Sequence, residues 1–95
     1  MESLDDVVQV FEKGLTQAMP EAVLYLREEQ EGLYEKELQV LLPLVNNYMG
    51  AEGASERLCA SLVDVLCLVV GRVDLQMVSI REVTKLVISV LEFRW

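Results

Sequence analysis

No histidine occurs among the 95 residues. That removes the commonest general base at neutral pH and the commonest metal ligand, and it excludes a Ser-His or Cys-His nucleophile pair. Cysteine is scarce too: Cys59 and Cys67 are the only two, and they lack the C-x-x-C spacing of zinc or redox sites. Neither G-x-G-x-x-G nor G-x-x-x-x-G-K-[ST] is present, so no phosphate-cradling loop is written into the chain. Cations are few: eight Lys and Arg stand against sixteen Asp and Glu, a net charge of −8, and the cations are scattered. Phosphate backbones and anionic bilayers both need several cations on one face, so direct nucleic-acid binding and adsorption to such a membrane are disfavoured. The opening MESLDD lacks the basic-then-apolar pattern of an export signal, which points to the cytoplasm or nucleus.

Apolar residues are abundant, at 53% of the chain, above the usual ~45–50%. One domain of this size buries only about 60–65% of its unfolded surface. The surplus predicts an apolar patch left over for another chain.

The longest apolar run is LCASLVDVLCLVVG, Leu58 to Gly71, broken by Ser61 and Asp64. A membrane span needs ~18–20 apolar residues, so no span is expected. Arg57, Ser61 and Asp64 fall on one narrow helical stripe and the remaining directions are apolar, the pattern of a central helix packed on several sides. Eight helical residues separate the two thiols by ~12 Å, too far for a disulfide; both read as small hydrophobes.

Four further helices flank this one. Ser3, Asp5 and Asp6 suit a helix start, and Leu4, Val7, Val8, Phe11, Leu15 and Ala18 keep helical spacing, so the first helix is expected over about 3–18 with a weak point at Gly14. Pro20 opens a second, about 20–31, ending in the polar REEQEG. Its Glu28, Glu31 and the later Glu35 read as a solvated face, since they have no apolar cover. Tyr34, Leu38, Leu41, Val45 and Tyr48 form a 4-3-4-3 seam on a third, about 33–49, which Pro43 should kink. The loop GAEGAS separates it from the fourth, about 55–70, with Ser55 as cap. Strict alternation from Arg72 to Met77 reads as an extended connector whose apolar side chains turn back on the core. Ser79 and Glu82 match a capping box for the fifth helix, about 79–94. That helix carries a wide apolar face of Ile80, Val83, Leu86, Val87, Val90 and Leu91.

The expectation is therefore an all-α compact bundle of four to five helices in a single domain, without enzymatic activity or cofactor. Its role is read as an interaction module or small subunit that buries spare helical surface against a protein partner or its own copy. The expected contact residues are Asp64, Val90, Leu91, Phe93 and Trp95, because a carboxylate on an apolar helix suits a specificity contact and terminal aromatics suit anchors. Helices four and five together have the length of one armadillo- or HEAT-type hairpin repeat, ~40 residues, without signature residues of either. A segment of a helical-repeat scaffold is thus the alternative, and a small enzyme or nucleotide-binding regulator a remote one.

Overall fold

The first apolar stripe is cut at Gly14. The structure, a computed structural model, describes residues 1–76 and 80–93, Phe93 by its backbone alone. Helix α1, Leu4–Lys13, starts after Ser3, where the Asp6 carboxylate accepts the N–H groups of Glu2 and Ser3 at 3.1 and 3.3 Å. The spacing predicts helix to about residue 18. It stops at Lys13 because Gly14 takes a left-handed φ of 64°, and the Leu15 N–H returns to the Val10 carbonyl at 3.0 Å to close the turn.

A 3₁₀ turn, Thr16–Ala18, leads into α2, Met19–Glu28. Pro20 sits in its first turn, where a missing N–H leaves no helical bond unmade. The last turn expected of this helix is instead a 3₁₀ turn, Gln30–Gly32. Helix α3, Glu35–Met49, contains Pro43 without ending there; its start is fixed by the Tyr34 N–H donating to Glu37 Oε1 at 2.9 Å. Helix α4, Glu56–Arg72, is capped as the sequence suggests, with Ser55 Oγ accepting from the Leu58 N–H at 3.3 Å. Helix α5 is Ile80–Phe93. Ser79, the expected partner of Glu82 in a capping box, lies outside the described residues. No strand occurs among the described residues.

The packing order makes two layers. Helix α1 packs on α2 and α3, α2 on α4, and both α3 and α4 on α5. Odd-numbered helices α1, α3 and α5 thus lie side by side, with α2 and α4 forming the second layer. The slab measures 33 × 32 × 19 Å, and the short dimension is that of two stacked helices.

Leu38, Leu41, Leu42 and Val45 of α3 meet Leu62, Val63, Leu66 and Val69 of α4 in one buried cluster with Val7, Leu26 and Leu86. This accounts for the long apolar run: α4 touches α2, α5 and the Gln30–Gly32 turn. Its outer stripe leaves Arg57 and Asp64 exposed and Ser61 half-buried, and extends one step further than expected to an exposed Leu68. Cys59 is buried and Cys67 half-buried.

The alternating segment after α4 is an extended connector for its described part. Val73 has φ −102° and ψ 158°, Val73 and Leu75 pack on the core, and Asp74 and Gln76 face out. Arg72 anchors its start by donating from Nη2 to the carbonyls of Gln30 and Leu33 at 2.6 and 2.9 Å. The same guanidinium lies 5.2 Å from the Tyr34 ring centre.

Candidate interaction surface

Two fixtures set the rotation of α5. Asn46 of α3 donates from Nδ2 to Glu82 Oε2 at 2.8 Å and to the Glu82 carbonyl at 3.0 Å, and Lys85 Nζ stands 3.7 Å from Glu82 Oε1. Leu86 is driven into the core at 1% exposure, with Val83 and Val90 packed half-buried beside it. Helical spacing then turns the other half of the apolar face outward.

That outward half is Ile80, Val87, Ile88 and Leu91, exposed by 82, 51, 50 and 60%. Thr84 completes the stripe without adding an unmet polar group, because its Oγ1 donates to the Ile80 carbonyl at 2.8 Å. At the start of the stripe Leu75, Ile80, Val83, Thr84 and Val87 line a groove of about 220 Å³. The other end of the three-helix layer is different. Leu4, Val8 and Phe11 of α1 are packed against the core, because α2 lies over α1 in the second layer. Helix α5 is likewise covered by two neighbours, α3 and α4, but its apolar arc is wider than those two helices hide, so Ile80, Val87, Ile88 and Leu91 stay bare. Leu15, Leu24, Val40 and Leu68 are also exposed, but on four separate elements; scattered apolar residues are ordinary and clustered ones are not.

The expected contact residues do not all meet on this surface. Leu91 lies on it. Val90 packs half-buried against this domain's own core, so it supports α5 from beneath. Phe93 ends α5, but its side chain and all of Trp95 lie outside the described residues. Asp64 is exposed on α4, lining with Arg57, Ser61, Pro20, Leu24 and Arg27 a separate cleft of about 480 Å³. There Arg27 Nη2 donates to Ser61 Oγ. Ile80, Val87 and Ile88 were not singled out as contacts by sequence reasoning. The available signal was the 4-3-4 spacing of Ile80, Thr84, Val87 and Leu91, which runs beside the buried set Val83, Leu86 and Val90.

Chemistry elsewhere is quiet. Burial pushes the Cys59 thiol up, with the Glu56 carboxylate adding to it, and burial alone raises Cys67; both are held away from the nucleophilic thiolate. Among the described residues no group of three Cys, Asp or Glu side chains could hold a metal ion, and no helix is long and apolar enough to cross a membrane. No protein-family model, curated protein or solved structure matches the chain.

Proposed function

We propose that the protein is an interaction module whose working surface is the outward stripe of α5. The observation that carries this reading is the cluster of Ile80, Val87, Ile88 and Leu91, each at least half exposed within twelve residues of one helix. At ~25 cal/mol per Å² such a patch is costly to leave in water, and a rigid helix edge held by Asn46 and Leu86 offers it already ordered. Little conformational entropy is then lost on docking.

Affinity capture from native extract tests it, comparing the wild-type chain with a Val87→Asp, Leu91→Asp variant. Proteins retained by the wild type should be missing from the variant, while circular dichroism shows both folded. An identical set of captured proteins would remove α5 from consideration.

A second reading is favoured by the alternating layers: the five helices are a segment of a helical-repeat array, where each helix stacks on the one two places earlier. In such arrays stability is a sum of repeat and neighbour terms. Amide exchange should then quicken from α3 towards both α1 and α5, the two helices at the ends of their layer. Uniform protection across all five helices speaks against an open-ended stack.

A further inference from the structure

We infer that the occupant of the α5 stripe is α5 of a second copy, lying antiparallel across a two-fold axis; this rests on the interaction-module reading and names its partner. Three observations select that occupant.

The first is spacing. Ile80, Thr84, Val87 and Leu91 follow each other by 4, 3 and 4 residues, the seam by which one helix receives another. With Ile80 set against Leu91 of the second copy, Thr84 falls against its Val87. The groove of about 220 Å³ lies at the Ile80 end of the seam, where this register brings the second copy's Leu91.

The second is net charge. Up to Gly71 the chain has thirteen carboxylates against four cations; from Arg72 onward it has three against four. Two copies of an acidic protein repel each other over most of their surfaces. The α5 end is the part of the sequence from which that repulsion is missing.

The third is charge order. Arg81 near the start of α5 and Glu92 near its end are eleven residues apart, about 20° round the helix, and so share one flank. An antiparallel pair sets Arg81 of each copy within about two residues' rise, ~3 Å, of the level of Glu92 in the other, and symmetry supplies this contact twice. A parallel pair would carry the two copies' flanks to opposite sides of the seam, where Arg81 and Glu92 could not meet. The flank is self-complementary in one direction only.

Area sets the strength. Four side chains at roughly 100 Å² each give about 400 Å² of apolar surface per copy, under the ~800 Å² per partner of a standard stable interface. The pair therefore forms reversibly and depends on concentration.

Sedimentation velocity over an about hundredfold range of concentration is the test. The wild type should shift from monomer towards twice its mass as concentration rises. Arg81→Glu alone and Glu92→Arg alone should each abolish the shift, with helicity retained by circular dichroism. The double variant carrying both changes should restore it, because the two flank pairs re-form with their signs exchanged. A wild type that stays monomeric throughout overturns the proposal, as does association indifferent to the single reversals. If the wild type is monomeric yet Val87→Asp, Leu91→Asp still loses captured proteins, the second copy is excluded while the interaction module stands.

Discussion

Asn46 is bonded to Glu82 twice, once through the carboxylate at 2.8 Å and once through the main-chain carbonyl at 3.0 Å. This contact joins α3 to α5 across 36 residues of sequence. Together with Leu86 it decides which half of α5 faces inward, and so which half is left exposed. Asn46 Oδ1 is itself buried without a hydrogen-bond partner among the described residues, so the amide is held chiefly by its donor side.

Asn46→Asp tests that anchor. The substitution replaces the donor with a second carboxylate facing Glu82, and losing a partly buried hydrogen bond in this way costs about 1–3 kcal/mol. Urea unfolding should show the loss, and amide exchange should quicken in α5 before the other helices. An unchanged midpoint would mean that Leu86 and its neighbours orient α5 without help.

Leu66 and Leu68 stand two residues apart on α4 with opposite burial, 0% and 59% exposed. Leu66→Ala should therefore cost about 2–5 kcal/mol, as other buried leucines do, and Leu68→Ala less than about 0.5 kcal/mol. Denaturant midpoints measured side by side should separate the two widely. Equal losses would show α4 buried all round.

The all-α class and the central place of α4 were legible because periodicity and caps agree: Ser55 caps where expected, and Leu62, Val63, Leu66 and Val69 are core. The end of α1 was less legible. The apolar spacing of Leu15 and Ala18 continues past Gly14, but a left-handed glycine outweighs spacing. Val90 shows the harder limit. Periodicity finds an apolar arc on α5 but cannot divide it into the part its own domain covers and the part it leaves bare. That division depends on Asn46, 36 residues away from Glu82, and on which helices stand beside α5, neither of which is local information.

Both thiols should label slowly with maleimide in the native state, Cys59 more slowly than Cys67, since Cys59 is buried and Cys67 only half so. Their pKa values are raised from the ordinary 9.0, so the folded state holds these protons more tightly than the unfolded one. That contribution to stability is present below pH 9.0 and is lost as pH rises through the folded values. Unfolding midpoints should fall above that pH in the wild type, and less steeply in Cys59→Ala measured against its own neutral-pH value. Rapid labelling of Cys59 at neutral pH would contradict its burial.

Arg72 joins the end of α4 to the Gln30–Gly32 turn through two carbonyls and the Tyr34 ring. Its planar fork serves this geometry better than an ammonium can. Arg72→Lys should lose about 1 kcal/mol, the modest figure reflecting an exposed site, and Arg72→Ala no less. Thermal melts of the two variants check this. A lysine variant indistinguishable from wild type would reduce the contact to general electrostatics.

The central claim is that the outward stripe of α5 is spare surface and contributes little to this domain's own core. Chemical denaturation of Val87→Asp, at concentrations dilute enough to suppress association, tests it most directly. Valine and aspartate have similar helix propensities, so the variant should stay within about 0.5 kcal/mol of wild type, as surface substitutions do. A loss of about 3 kcal/mol or more, the scale of a charge forced into a packed interior, would show that Val87 is core and contradict the account.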